Sequence, residues 1–401
     1  MMSENQFFPE LKGKLGFGGL RFPKKWWYDY YHALNKLSHG RIRFDVLSVD
    51  LRELRKMIDC YMERGFNYFD TGHKYMLNHS EPALRECLVK RYPRDSFVFT
   101  DKLTASCFKT NADIRPLFEK QLKACGLDYF DFYLMHAQRE ELYKKFMDTD
   151  AYSTALELKD EGKIRHFGIS FHDSPELLEK ILTDWPQIEV VQLQFNYMDY
   201  DSSVIASKAC YDVCVRHRKP VFVMEPVKGG NLTVLPDDAK AVFQQLGSNS
   251  PASYAIRFAA GFENICMVLS GMSTLQQTMD NTAYMQNFTP LSEEELEAVW
   301  KVRDIIQRQS GIQCTACRYC TEVCPKGIPT PDIFTLYNQY TTQCENMGNR
   351  RITNYELFYR RLTKSGNTAS SCVKCGKCET VCPQHLPIRK YLEQAAQKME
   401  R

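Results

Sequence analysis

Gly65-Phe66-Asn67-Tyr68-Phe69-Asp70-Thr71-Gly72-His73-Lys74-Tyr75 is the stretch on which the fold turns. Gly65 closes an amphipathic helix over 50–64, in which Leu51, Leu54, Met57, Ile58 and Met62 fall near helical spacing. Phe66, Tyr68 and Phe69 then make an aromatic, strand-prone run. Asp70 stands where that strand emerges, and Tyr75 follows in the loop. A helix feeding a short buried strand that ends in a polar residue is the repeating unit of an alternating β/α chain.

Outward from this stretch the alternation continues. Leu15-Gly16-Phe17-Gly18-Gly19-Leu20 reads as a first strand, and further strands are expected at 67–70, 97–102, 131–136, 166–170, 189–194, 221–224 and 265–270. Helices are expected between them, for example over 114–125, 175–182 and 203–216. Eight strands alternating with helices over roughly 290 residues predict an α/β (β/α)8 TIM barrel. Ser292 and Glu295 have the spacing of a capping box, so a further helix should start there and run to about Gln309. Gly311 breaks it, which puts a domain boundary near 310: a barrel over 1–309 and a second domain over 310–401. Between the first strand and the first helix lies an aromatic insert, 24–39, with Trp26, Trp27, Tyr28, Tyr30 and Tyr31. It either packs against the other domain or walls a substrate pocket suited to apolar or ring-shaped molecules.

Composition bounds the function classes. The 401 residues are 44% hydrophobic and 25% charged, ordinary for a water-soluble globular chain. A net charge of +3 implies no nucleic acid or other polyanion as partner. The start of the chain lacks the apolar run of a signal peptide, and no stretch is long and apolar enough to span a membrane. Of 16 cysteines, eight are packed into two tight motifs, which favours metal binding in a reducing compartment and hence a cytoplasmic location.

The strand ends carry the chemistry. Asp70 ends the second strand, Lys102 the third and His136 the fourth, with Tyr75 in the loop after the second. In a barrel these positions converge at one mouth. Their order and spacing resemble the Asp-Tyr-Lys-His tetrad of the aldo/keto reductases, and so do Ser80-Glu81, Gly162-Lys163-Ile164-Arg165 before Gly168-Ile169-Ser170, and Gly271-Met272-Ser273-Thr274. The resemblance covers roughly the first three quarters of the chain and points to the branch carrying a ferredoxin domain. It implies reduction of a small-molecule carbonyl by hydride from NADPH or NADH, with Tyr75 as proton donor. A phenol is a poor acid at neutral pH unless its anion is stabilised. Lys102 supplies the stabilising charge, Asp70 holds Lys102, and His136 orients the carbonyl oxygen.

The same resemblance implies cofactor contacts. Ser170 and Gln192 would meet the nicotinamide carboxamide, although Phe171 replaces an Asn usual in the family and Gln192 also fits an ordinary barrel-lining role. Met224 stands where an aromatic usually stacks on the nicotinamide, and a thioether can pack there too. Pro226 and Lys228, within Glu225–Gly230, would shape the pyrophosphate region. Gly271, Ser273, Gln277 and Asn281 would lie at the adenine end. Gly271 and Gln277 occupy positions where a basic residue commonly grips the extra phosphate of NADP, so NADP and NAD both stay open.

The second domain resembles an α-helical ferredoxin. Cys314-x2-Cys317-x2-Cys320-x3-Cys324-Pro325 and Cys372-x2-Cys375-x2-Cys378-x3-Cys382-Pro383 match the run that binds two [4Fe–4S] clusters. In that pattern the fourth cysteine of each motif ligates the other cluster, giving Cys314, Cys317, Cys320 and Cys382 for one, and Cys372, Cys375, Cys378 and Cys324 for the other. Zinc sites favour pairs of cysteines instead. Ile333, Leu336, Tyr337 and Tyr340, then Tyr355, Phe358, Tyr359 and Leu362, give the spacer helical periodicity, and helices are expected from Ile328 and Ile388 onward.

Nicotinamide moves two electrons together and each cluster moves one. Four readings follow: a reductase whose clusters exchange electrons with a protein partner; the same enzyme with clusters that brace the fold or sense redox state; a nicotinamide-binding redox sensor with little turnover; or a ferredoxin-linked reductase that uses a flavin.

Overall fold

The computed structural model describes residues 6–25, 27, 48–202, 205–309, 311–312, 314, 316–346, 353–382 and 384–400. Its first compact unit holds 1–197, 207–229 and 252–292, and its second holds 198–206, 230–251 and 293–401. In the first unit eight parallel strands close on themselves in chain order. They are β1 (Leu15–Gly18), β2 (Tyr68–Asp70), β3 (Val98–Leu103), β4 (Phe130–Gln138), β5 (Ile164–Phe171), β6 (Val190–Gln194), β7 (Val221–Met224) and β8 (Ile265–Ser270). The ring shuts where Leu15 pairs with Val268 and Phe17 with Ser270.

β1 stops two residues short of the expected Leu20. The chain enters a 3-10 turn at Gly19–Arg21, where a side chain at Gly19 would put a Cβ 2.7 Å from both the Asp70 carbonyl oxygen and Ser80 Oγ, so the turn passes close to both only because this residue is glycine. The helix expected over 50–64 runs Leu51–Glu63, with the Asp50 carboxylate accepting from the Arg52 and Glu53 N–H groups at 3.0 and 3.2 Å. Gly65 follows with φ 92°, the left-handed exit its position requires. The helix expected from 203 begins instead at Ser207, because Ala206 takes φ 56° and breaks the turn. Residues 203 and 204, and Trp26, Tyr28, Tyr30 and Tyr31 of the aromatic insert, lie outside the described residues. The neck of that insert is zipped: Lys25 N donates to Ser48 O at 3.0 Å and Asp50 N to Pro23 O at 2.8 Å.

Inward-facing Tyr68, Val98, Phe132, Leu134, Val190, Phe222, Met267 and Leu269 fill the barrel interior. Phe8 and Leu11, ahead of β1, join that core. The Phe8 ring meets Phe132 edge-on at 5.0 Å and His166 at 4.9 Å. Because the interior is packed, reacting groups can be presented only at the strand ends.

The second unit contains a helical region with its own core. Helices Glu293–Gln309, Thr330–Asn346, Thr353–Leu362 and Ile388–Met399 are its longest, and Ile333, Phe334, Leu336, Tyr359, Ile388, Leu392 and Met399 are buried together. The helix after the first motif starts at Thr330 rather than Ile328, and the one after the second starts at Ile388 as expected. Gly311 takes φ 90°, and Asn338 brackets the following Ile312, accepting from its N–H and donating to its carbonyl at 2.8 Å each. Among the described residues no helix is long and apolar enough to cross a membrane.

Candidate active site

β2, β3 and β4 bring Asp70, Lys102 and His136 to one end of the barrel, and Tyr75 reaches them from the loop after β2. Lys102 is fully buried. Its Nζ donates to Asp70 Oδ1 at 2.5 Å and to the Thr71 carbonyl at 2.7 Å, and lies 4.8 Å from the centre of the Tyr75 ring. Gln192, on β6, donates from Nε2 to the other Asp70 oxygen at 3.1 Å. Both oxygens of the carboxylate are thus held, one by charge and one by an amide. Burial is the largest single influence and opposes the Lys102 charge, but the charge and hydrogen bond of Asp70 together with Tyr75 and Asp101 outweigh it, and the ammonium is held above its ordinary range.

Tyr75 and His136 are only half-buried, so the two groups that would touch a substrate stand at the mouth. Burial, with the Asp70 and Asp101 charges, leaves the Tyr75 phenol above its ordinary range, although the charge and hydrogen bond of Lys102 pull it down. The rings of Tyr75 and His136 meet edge-on at 5.9 Å. Burial, and then the Lys102 charge, push His136 well below the usual imidazole range, so the ring is neutral. Its Nδ1 lies 2.8 Å from Thr104 Oγ1. When that hydroxyl donates, the ring proton is on Nε2.

The backbone that aims these groups is strained. Met76, Leu77 and Asn78, directly after Tyr75, take φ of 52°, 59° and 68°, a left-handed run in three residues without glycine. The register of β4 against β5 shifts between Met135 and Gln138, and Ala137 takes φ 57°. The Ala137 N–H released by this bulge donates to Ser170 Oγ at 2.7 Å. His79, at the end of the Tyr75 loop, bonds through Nδ1 to Ser48 Oγ at 2.8 Å, beside the neck of the aromatic insert.

A polar layer lies behind Lys102. Glu81, Asp101 and Cys125 are buried with their side-chain oxygen and sulfur atoms within 4.8 Å of one another. Asp101 Oδ1 accepts from the Lys102 N–H at 2.7 Å, and Gln121 Nε2 donates to the Lys102 carbonyl at 3.0 Å. His73 Nδ1 sits 3.0 Å from Glu81 Oε1. Burial raises Glu81 to about 7, raises Asp101 well above the carboxylate range, and lowers His73. Protonation is thus favoured on Asp101 and the neutral ring on His73, while Glu81 titrates close to neutral pH. Sequence reasoning singled out Glu81 but missed His73, Thr104 and Asp101, which carry no motif of their own and acquire meaning only through their neighbours in space.

The expected nicotinamide contacts are spread over the ends of β5 to β8. Ser170 and Gln192 pair in register on β5 and β6. Met224 is half-buried at the end of β7, and Pro226 and Lys228 are buried in the loop beyond it. After β8, Ser273 Oγ donates to the Arg21 carbonyl at 2.6 Å, and Gln277 Oε1 accepts from the Ser273 N–H at 2.7 Å. Asn281 spends its amide within the protein: Nδ2 donates to Ser270 Oγ at 2.8 Å, and Oδ1 accepts from Tyr284 at 2.7 Å. Arg21 was not foreseen. Its aliphatic stem lies over Gly271, where an added Cβ would be 3.0 Å from Cδ, so the glycine makes room for it. A basic residue therefore does reach this loop, from the far end of the sequence.

In the second unit the eight motif cysteines line two separate cavities. Cys314, Cys317, Cys320 and Cys382 line one, with Arg318 and Phe334. Cys324, Cys372, Cys375 and Cys378 line the other, with Lys326 and Val373. The fourth cysteine of each motif thus faces the first three of the other, the exchange that the sequence pattern implies. An all-thiol donor set in compact loops, with no imidazole lining either cavity, suits iron–sulfur binding.

The aldo/keto reductase family model matches residues 14–304, and a 4Fe-4S dicluster domain model matches 313–386. Aldo-keto reductase family 1 member C13 of Mus musculus is 26% identical over 234 residues, covering 49% of this chain and 68% of the relative. A 9,11-endoperoxide prostaglandin H2 reductase of Trypanosoma cruzi is 23% identical over 275 residues, covering 65% of this chain and 88% of the relative. Among solved structures, an aldo-keto reductase from Klebsiella pneumoniae in complex with NADPH shares the fold. Its TM-score is 0.55 at 18% identity, over 72% of this chain and 90% of that one. The holo form of a Bacillus halodurans aldo-keto reductase does so at a TM-score of 0.54 and 21% identity, over 73% and 92%.

Proposed function

This chain belongs to the aldo/keto reductase family, and from that membership we propose that it reduces the carbonyl group of a small molecule, with Tyr75 as proton donor and NADPH or NADH as hydride source. The chain is an oxidoreductase with a C-terminal 4Fe-4S domain. The observation that carries the proposal is the buried Lys102 ammonium, fixed to Asp70 at 2.5 Å and set against the Tyr75 ring at 4.8 Å.

Nicotinamide, when bound, supplies a hydride to the carbonyl carbon. The rest is work for this chain's own residues. Negative charge builds on the carbonyl oxygen, where neutral His136 offers a hydrogen bond and Tyr75 gives up its proton. Lys102 stabilises the phenolate that remains, and Asp70 keeps Lys102 charged and in place. Ser170 and Gln192 suit a carboxamide. The Ser170 oxygen already accepts from Ala137, so its hydroxyl proton is the atom left to donate. The Gln192 nitrogen is spent on Asp70, so its oxygen is left to accept. Met224, Pro226, Lys228, Gly271, Ser273, Gln277 and Asn281 complete the proposed cofactor set. Met224 and Gly271 act through shape, and Asn281 acts by holding the end of β8.

The two cysteine sets would hold two [4Fe–4S] clusters, each moving one electron, in exchange with a protein partner. The cysteines then do the holding: seven of the eight thiols are exposed or half-buried in the lining of their cavities, and Cys320 is buried in the first. The test is an anaerobic panel of aldehydes and ketones with NADPH and with NADH, run on iron-loaded protein. Turnover of at least one carbonyl by the parent supports the reading, and binding of nicotinamide without turnover across the panel contradicts it. Bleaching of cluster absorption by NADPH alone assigns the clusters to turnover, and cluster absorption that never changes assigns them to bracing.

A further inference from the structure

We propose that the rim of the second cysteine cavity, the one lined by Cys324, Cys372, Cys375 and Cys378, is the docking face for a small acidic protein that carries one electron. The inference rests on the reading above that these cysteines hold a cluster, and it adds which cluster is the port and what kind of protein meets it.

The first observation is charge. Residues 311–401 carry thirteen Lys and Arg against seven Asp and Glu, while the whole chain is only +3. The basic excess is concentrated in this region, and the remainder of the chain is mildly acidic.

The second observation is where that charge sits. Lys326 and Val373 line the cavity together, although 47 positions separate them in sequence. Val373 is 54% exposed, an apolar side chain standing open beside the thiols. Lys326, Lys374, Lys377 and Cys375 around it are exposed as well. Among the described residues neither Lys326 nor Lys377 has an anionic partner, and Lys374 forms an exposed ion pair with Glu393 at 3.7 Å. Glu379 is neutralised by Arg389, which donates to Oε2 from Nη2 at 2.7 Å and from Nε at 3.0 Å.

The first cavity has a different rim. Its basic residue, Arg318, is spent on Asp332 in a two-pronged pair at 3.0 and 2.9 Å. Tyr319 is exposed there, and Glu322 is the nearby charge.

A site bearing four thiolates is anionic once loaded, and an unscreened anionic rim would repel an acidic carrier. At the second cavity Lys326 and Lys377, with Lys374 beside Glu393, place positive charge around an exposed apolar centre, whereas the basic residue described in the lining of the first, Arg318, is paired with Asp332. An apolar centre ringed by like charges is the anatomy of a transient interface, in which charge sets the encounter rate and a small apolar contact holds the pair briefly. Fields of this kind raise association rates about 10- to 1,000-fold and fade with salt. Electron exchange is then one electron passing from the reduced carrier to the cluster, or back, with no bond made or broken.

The test uses full-length, anaerobically reconstituted protein, its triple variant Lys326→Glu/Lys374→Glu/Lys377→Glu, and Tyr319→Ser at the other rim. The probe is an acidic flavodoxin. Iron content and EPR of each protein are recorded first, so that failure to load clusters counts against the cluster reading and not against the docking face. Calorimetry with oxidised flavodoxin then measures binding, and stopped-flow with its hydroquinone measures electron delivery. The expected result is binding and delivery by the parent that weaken with salt, at least a tenfold loss in the triple variant, and no loss in Tyr319→Ser. Reduction by photoreduced, uncharged deazaflavin should stay unchanged in all three. The proposal is overturned if the parent shows no salt-dependent association, or if the triple variant behaves as the parent does. It is also overturned if the loss follows Tyr319→Ser, or if deazaflavin reduction slows as much as flavodoxin reduction, since the lysines would then act only on the cluster.

Discussion

Lys102 and Asp70 are opposite charges removed from water together, and each is costly without the other. A buried pair of this kind adds little net stability, but removing one partner strands a charge at a cost of about 3–5 kcal/mol. Lys102→Met should therefore lower unfolding stability by that amount in urea titration, and restoring balance with Asp70→Asn in the same chain should recover part of it. Glu81 gives a second prediction. Burial raises its carboxyl from the usual 4.5 to about 7 in the folded state. The folded protein binds this proton more tightly than the unfolded chain, so the stabilisation is full below pH 4.5 and is lost as pH rises to about 7. A shift of this size corresponds to about 3 kcal/mol. Glu81→Gln, which keeps the shape and cannot ionise, should flatten the decline in stability between those pH values. An unchanged slope would mean that the carboxyl is ionised in the fold.

At the scale of elements, the strands and helices with one plain signal were legible. β7 and β8 begin and end where their apolar runs do, and Ile388–Met399 begins where its pattern begins. The misreadings occur where a distant neighbour decides. β1 ends at Gly18 where Gly19 enters a turn and its carbonyl accepts from Ser80 Oγ, and the helix at Ser207 waits for the turn at Ala206. In the left-handed run Met76–Leu77–Asn78 only Asn78 is a residue type that takes this conformation readily, so Met76 and Leu77 gave no signal. That run holds Tyr75 in place at a backbone cost of about 1–2 kcal/mol per residue. Leu77→Gly should relieve strain without loss of melting temperature, yet lower kcat severalfold by loosening the Tyr75 loop, with nicotinamide affinity unchanged. A fall in melting temperature with full kcat would remove the strain from the account. At the other end of the barrel, Phe8→Ala empties the contact with Phe132 and His166 and should cost about 3–5 kcal/mol.

For the whole molecule, the sequence motifs and the spatial groupings coincide to different degrees. The three strand-end residues with loop-borne Tyr75, and the eight cysteines, each come together, because short spacing or a shared barrel end leaves few alternatives. The nicotinamide set is diffuse: Asn281 is committed within the protein and Arg21 was invisible, because pairing across the closing strands of the barrel is not written in local pattern. In the proposed cluster-bound protein the thiol ligands tie together the segments around the two cavities and not the barrel strands. Chelating the iron should therefore raise hydrogen exchange in the helices Thr330–Asn346 and Ile388–Met399 while the barrel strands stay protected; equal exposure of both would contradict this. The most direct test of the proton-donor claim is carbonyl turnover by intact, cluster-loaded protein carrying Tyr75→Phe, alongside fluorescence titration of NADPH. The account predicts that kcat falls about 100- to 10,000-fold while the dissociation constant for NADPH stays within about twofold. Turnover at the parental rate, in a variant that binds cofactor normally, would contradict it.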